Sequence, residues 1–202
     1  MKMSFTILGT VFLGILCGFF FVPESGKVIV DNLTPYALYI LMVFVGFDLG
    51  HNRHVFKSIK KLGIKILLIP VAIVIGSLIG GYIAGIIFNM ATNESLAISA
   101  GLGWYSLSGI LLKEMASAEL GAIAFLTNVV RELIAFISIP ILAKYFHEIV
   151  VLGPAGATSM DTTLPIISKY TRSEMIVISV LNGMILSMLV APLVTFVYNL
   201  GV

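Results

Sequence analysis

Gly153-Pro154-Ala155-Gly156-Ala157-Thr158-Ser159-Met160-Asp161-Thr162-Thr163-Leu164-Pro165 stands inside an apolar run that extends from Ile149 to Tyr170. Glycine, proline and small hydroxyl residues occupy places where a simple membrane span would carry Leu, Ile or Val, and one place is an acid. Non-helical backbone is tolerated at membrane depth only where it is buried in protein or lines a wet cavity. Secondary transporters place such interrupted helices near the bilayer midplane, where half-helix N-termini attract anionic groups and freed carbonyls bind cations. The stretch therefore predicts an all-α integral membrane protein built around broken helices.

A second stretch has the same character: Gly101-Leu102-Gly103-Trp104-Tyr105-Ser106-Leu107-Ser108-Gly109. Gly, Ser and Thr are also common at helix contacts in membranes, where they allow close approach, so glycine richness alone reads as packing. Asp161 moves the balance for the first stretch, because packing has no need of an acid. The second carries no charge, and its functional reading rests on Trp104, Tyr105, Ser106 and Ser108.

A further acid, Glu132, lies near the middle of the apolar run Ala118 to Phe146. An ionised carboxylate at the bilayer centre costs about 2.5–3.5 kcal/mol on insertion scales, and the default reading of one that is kept is an ion, proton or substrate site. Asn128 is four residues earlier and shares its helix face. Arg131 is adjacent, turned by about 100° along the helix. In the bland alternative Arg131 and Glu132 are each neutralised by a neighbouring helix and serve packing. In the sharper one Glu132 is a proton or cation site, and Arg131 holds a nearby acid such as Asp161 ionised or anchors a carboxylate.

The rest of the chain fits a membrane protein. Of 202 residues 59% are hydrophobic and 11% charged, against about 25% charged in a soluble domain. The net charge of +2 and the lack of basic runs interleaved with aromatics exclude nucleic acid as an expected partner. The single cysteine, Cys17, forbids an internal disulfide. Ser4–Val22 follows Lys2 as a signal peptide would, but the run is long enough to span and no small-x-small cleavage site follows it. Seven segments emerge, at about 4–22, 33–50, 62–88, 95–112, 119–144, 150–168 and 174–199, with no extramembrane domain. If all seven cross, nine basic residues (Lys2, Arg53, Lys57, Lys60, Lys61, Lys65, Lys113, Lys169 and Arg172) share one side and Lys27 and Lys144 the other. That asymmetry predicts a cytoplasmic N-terminus and an external C-terminus, although a broken segment could re-enter instead of crossing. Asp48 reads as interfacial, Asn182 as a hydrogen-bonding contact between helices, and His51, His54 and His147 as loop residues without metal spacing.

At three runs the chain resembles the bacterial lysine exporter family: Gly103 to Gly109, then Arg131-Glu132-Leu133-Ile134, then Gly156 to Pro165. The resemblance covers essentially the whole chain. It implies export of L-lysine and toxic analogues across the bacterial cytoplasmic membrane by proton antiport, with the proton-motive force as energy source and no cofactor. It also implies kinship with the cation/proton antiporter and anion transporter superfamily, whose members use crossed, broken helices, and it puts Glu132 and Asp161 at the family's membrane-embedded acids. Many members carry several further N-terminal helices. This chain matches their second part, so a small separate membrane protein, or a second copy of the chain, is expected to supply the remainder.

These readings combine into one expected site. An ammonium of lysine pairs with Glu132 or Asp161. Its carboxylate sits at a half-helix N-terminus with Arg131 or the hydroxyls of Ser106, Ser108, Thr158 and Ser159 nearby, and Asn128 and Thr162 complete the set. Trp104 or Tyr105 adds a cation–π contact of about 0.5–2 kcal/mol. Which acid meets substrate and which the proton stays open. A monovalent cation/proton antiporter suits the same residues, and a non-transporting subunit of a split transporter is a further alternative. An intramembrane aspartyl protease needs two aspartates, and here one acid is Glu, so no enzyme is expected.

Overall fold

The computed structural model describes residues 64–201, together with seven helical positions ahead of them: Leu13, Leu16, Phe20, Leu33, Tyr36, Ile40 and Val43. Apart from those positions, the expected spans 4–22 and 33–50, with Cys17, Asp48 and the basic loop 51–61, lie outside the described residues. The chain forms two compact units, Met1–His51 and Asn52–Val202, and every element below belongs to the second.

A 3-10 turn, Ile64–Leu67, leads into α1 (Leu68–Phe88). Then come α2 (Thr92–Ser99), α3 (Tyr105–Met115) and the long α4 (Ala118–Tyr145). A second 3-10 turn, Glu148–Val151, runs into the short α5 (Leu152–Ala155), which gives way to a third, Gly156–Met160. Helices α6 (Leu164–Tyr170) and α7 (Glu174–Asn199) complete the fold. The described residues form no strand. Helices α1, α4 and α7 are long and apolar enough to cross a membrane, and α1 alone measures about 31 Å at 1.5 Å per residue against a hydrocarbon core of about 30 Å. The protein is an all-helical, multi-pass membrane protein.

Local chemistry sets the ends of these helices. Ser117 accepts a hydrogen bond from Leu120 N (3.1 Å) and Glu119 follows in the first turn of α4, a favourable start for a helix. Asn89 ends α1 in the left-handed region (φ 52°) and its N–H returns to the last carbonyls. Pro70 lies in the first turn of α1, where a missing N–H costs nothing.

The segments between the long helices turn back instead of crossing. From the end of α1, α2 runs back alongside it: a Cβ on Gly85 would strike Ser95, one on Gly81 would strike Ser99, and Ser77 Oγ donates to Ser99 O (3.3 Å). Helix α3 then climbs antiparallel to α4, from the Ser108–Asn128 contact (3.3 Å) to Gly121 and Lys113. Residues 92–115 thus enter and leave beside the junction of α1 with α4. Residues 148–170 do the same from the opposite end. Glu148 and Arg172, at their two ends, form an ion pair at 2.9 Å, while the interior of the segment reaches Gly183, part-way along α7. Among the described residues, the five segments from 62 onward are therefore three helices long enough to cross and two opposed hairpins, where strict alternation gives five crossings. Lys144, Lys169 and Arg172 share one end of this unit and Lys113 lies at the other, so Lys113 and Lys144 exchange the sides that strict alternation gives them.

Candidate functional site

The hairpin tips meet beside the middle of α4, at Asn128 and Arg131. Ala157 N–H donates to Leu102 O (2.9 Å), one backbone amide joining two elements that enter from opposite ends. The first tip is a tight turn closed by Trp104 N–H to Gly101 O (2.7 Å), with Leu102 at φ 50° and Gly103 at φ 98°. Two consecutive positive φ values define a type I′ turn. Leucine is rarely found there, since a left-handed L residue costs roughly 1–2 kcal/mol; complete burial of Leu102 holds it in place. The second tip turns at Gly156 (φ 58°, ψ −132°), where a Cβ would run into Leu102 O.

One asparagine holds each tip. Asn128, from α4, accepts from Gly103 N–H (2.8 Å) and donates to Ile98 O (3.1 Å), Ala124 O (2.9 Å) and Ser108 Oγ (3.3 Å). Asn182, from α7, donates to Gly156 O (3.3 Å) and Ser159 Oγ (3.1 Å), while its buried Oδ1 has no partner. Leu102 precedes Asn128 by 26 residues, and Gly156 precedes Asn182 by 26.

Arg131 sits at the carbonyl end of α5. It donates to Gly153 O (3.1 Å), Pro154 O (3.4 Å) and Ser77 Oγ (2.6 Å). A cation at a helix C-terminus is favourably placed. Those three acceptors are neutral, and no bond to Asp161 is formed.

The acids form a separate group. Glu132, on α4, is 4% exposed and its Oε1 meets no donor. Thr162 lies within hydrogen-bonding reach of its carboxyl, and Asp161 is near enough for the two charges to interact. Thr162 binds Asp161 Oδ1 through its own N–H and hydroxyl (3.3 Å). Asp161 is exposed, at the end of the 3-10 turn Gly156–Met160. Tyr105, the first residue of α3, feels both acidic charges and packs edge-on against Phe125, 5.4 Å between ring centres. The backbone break exposes Asp161, and the crossing helix buries Glu132.

Of the residues singled out by sequence, Glu132, Asp161, Thr162 and Tyr105 come together, with Trp104 and Ser106 alongside Tyr105 at the start of α3. The others stand apart as framework. Ser108 donates to Trp104 O (2.9 Å), Thr158 to Ala155 O (2.8 Å) and Ser159 to Ser179 O (2.9 Å). Sequence reasoning passed over Ser77, Leu102, Thr163 and Ser179. Thr163 is fully buried and donates to Thr158 O (2.9 Å). Cavities of about 600 and 840 Å3 flank α1; Arg131 and Ser77 line the first, Glu94 and Glu119 the second, and neither acid of the cluster lines either. Among the described residues no group of three His, Cys, Asp or Glu side chains is placed to hold a metal.

The family model described as lysine exporter LysO matches residues 8–198. The chain is similar to the "Lysine exporter LysO" of Escherichia coli, 37% identical over 196 residues, covering 96% of this chain and 63% of that protein. It is also similar to the "Putative lysine exporter" of Haemophilus influenzae, 34% identical over 196 residues, covering 96% of this chain and 95% of that protein. The chain thus spans just under two thirds of the first relative and nearly all of the second. No solved structure matches it.

Proposed function

Because this chain belongs to the lysine exporter family, we propose that it is a secondary transporter that carries L-lysine and toxic lysine analogues out of the cytoplasm in exchange for protons. The observation that carries the mechanism is Glu132: a buried carboxyl on a membrane-crossing helix with one oxygen unpartnered. Such an oxygen is available either to a proton or to an ammonium, and coupling requires that the two compete for it. Thr162 would link Glu132 to Asp161, so that occupation of one acid alters the other. Tyr105, Trp104 and Ser106 would surround the aliphatic stem, and the unpaired amides of the first turn of α3 would receive the α-carboxylate. A proton arriving from outside displaces the ammonium, and its loss to the cytoplasm restores the site. Asn128, Arg131, Ser108, Thr158 and Ser159 would keep the hairpins in place around it.

The end carrying Lys144, Lys169 and Arg172 is then the cytoplasmic one in the bacterial inner membrane. We further propose that additional helices, from a small membrane protein or a second copy of the chain, complete the transporter, since the Escherichia coli relative is longer than this chain. The test is lysine-driven proton counterflow in proteoliposomes, with Glu132→Gln and Asp161→Asn. Coupling should vanish in either variant; coupling retained in both would defeat the reading. The oxygens of Glu132, Asp161 and Thr162 also suit a monovalent cation exchanged for protons, and a panel of amino acids and alkali cations in the same vesicles separates the two.

A further inference from the structure

We infer that the Ala157–Leu102 hydrogen bond is a latch with a second position, and that the free oxygen of Asn182 is the acceptor for that position. The two tip peptides hold equivalent places, each starting 26 residues before its asparagine, but they face opposite ways. In the peptide Leu102–Gly103 the N–H points to its own asparagine, Asn128, and the C=O to the other tip. In the peptide Gly156–Ala157 the C=O points to its own asparagine, Asn182, and the N–H to the other tip. This reversal is what lets the tips bind each other: one offers an acceptor, the other a donor. It also accounts for Asn182 Oδ1, which is left bare in a side chain only 2% exposed.

Turning the 156–157 peptide by about half a revolution puts Ala157 N–H onto Asn182 Oδ1, but it releases Leu102 O and swings Gly156 O from Asn182 Nδ2 towards Leu102 O, so that two carbonyls face each other and the tips must part. The second hairpin then adopts the arrangement that the first already shows. At φ 58° and ψ −132° Gly156 matches the first central position of a type II′ turn, and type I′ shares that φ, so the rotation leads from one to the other. Glycine tolerates both. Ala157 resists it, because type I′ needs a positive φ at the second position and a Cβ disfavours that. Against this resistance and the two hydrogen bonds given up stands one partner gained by a buried, unsatisfied oxygen, so the second arrangement is the minor one. A switching element needs only a second packing within a few kcal/mol of the first.

The turning peptide begins the 3-10 turn Gly156–Met160, at whose end Asp161 stands. Releasing the latch would therefore part the two hairpins, each carried by its own long helix, and move Asp161 relative to Glu132. This link to transport rests on the function proposed above.

The test places nitroxide labels at Glu114→Cys and Ser168→Cys, both exposed and one on each hairpin, in a Cys17→Ser background. Distances are measured by pulsed electron resonance in lipid nanodiscs without lysine. Two distance populations are expected. Ala157→Gly, which removes the resisting Cβ, should enlarge the second about fivefold or more. Asn182→Leu should remove the second and keep the first, still held by the Ala157–Leu102 bond and showing the fold intact, and Asn182→Asp, which retains an acceptor oxygen but no donor for Gly156 O, should keep the second and diminish the first. A single distance in the parent protein and Ala157→Gly alike, or a second population undiminished in Asn182→Leu, overturns the latch. If Asn182→Leu does not fold, Ala157→Gly decides alone. None of these readings involves lysine, so two populations in a protein that fails to export lysine would uphold the latch and reject the transport reading.

Discussion

Glu132 Oε1 has no hydrogen-bond donor, and the side chain is almost fully buried. Glutamine has the same shape without the charge, so Glu132→Gln should fold normally, with a melting temperature at or slightly above that of the parent, while lysine-coupled proton flux falls at least 100-fold. Thermal unfolding in detergent and vesicle flux measure the two sides of that expectation. Asn128 behaves oppositely. Its amide makes four hydrogen bonds, and Asn128→Leu leaves Gly103 N–H and Ile98 O buried and bare, at about 1–3 kcal/mol each. We expect roughly 3 kcal/mol of destabilisation, read as a lowered melting temperature. The two acids were legible in the sequence because a carboxylate inside an apolar run has few bland explanations. Ser77 was not, because a serine in an apolar helix looks like packing until its guanidinium partner is seen. Leu102 carried no signal at all: nothing in a leucine announces a positive φ, and burial imposes it.

At the scale of elements, glycines decide which helices lie together. A Cβ on Gly121 would sit 2.6 Å from Gly109 O and 2.7 Å from Lys113 Cβ, so α3 rests directly on α4. Gly121→Val should separate the two and cost about 1–3 kcal/mol, the usual range for overpacking, and should weaken transport through displacement of Tyr105; the melting temperature and the flux assay check it together. The interrupted character of both hairpins was readable from their glycines and from Pro154 and Pro165. Their re-entry was not. A broken crossing segment and a dipping hairpin of similar length have the same composition, and they differ only in which helix each glycine faces, as with Gly81 against Ser99 and Gly183 against Met160.

For the molecule as a whole, the opposed hairpins make a topological prediction. Ala91→Cys and Ala116→Cys, introduced singly without Cys17, should react with an impermeant maleimide from the same face of the membrane, and Phe146→Cys and Arg172→Cys from the other. Labelling of Ala91→Cys and Ala116→Cys from opposite faces would make residues 92–115 a crossing segment, and the same result for Phe146→Cys and Arg172→Cys would do so for residues 148–170. The basic-residue asymmetry that seemed to support those crossings survives the change, because Lys113 and Lys144 merely trade places, so charge counting could not have distinguished the two layouts.

The two asparagine ties also bear on how the protein is made. Residues 92–115 emerge from the ribosome before Asn128, and residues 148–170 before Asn182, so each hairpin is synthesised ahead of the side chain that secures it. Until α7 has arrived, the carbonyl of Gly156 must wait in lipid or in the insertion machinery without the donor that will satisfy it. Membrane integration of this chain is therefore decided late: a nascent chain halted after Tyr170 should remain an easy target for quality-control proteolysis, and one extended past Asn182 should escape it.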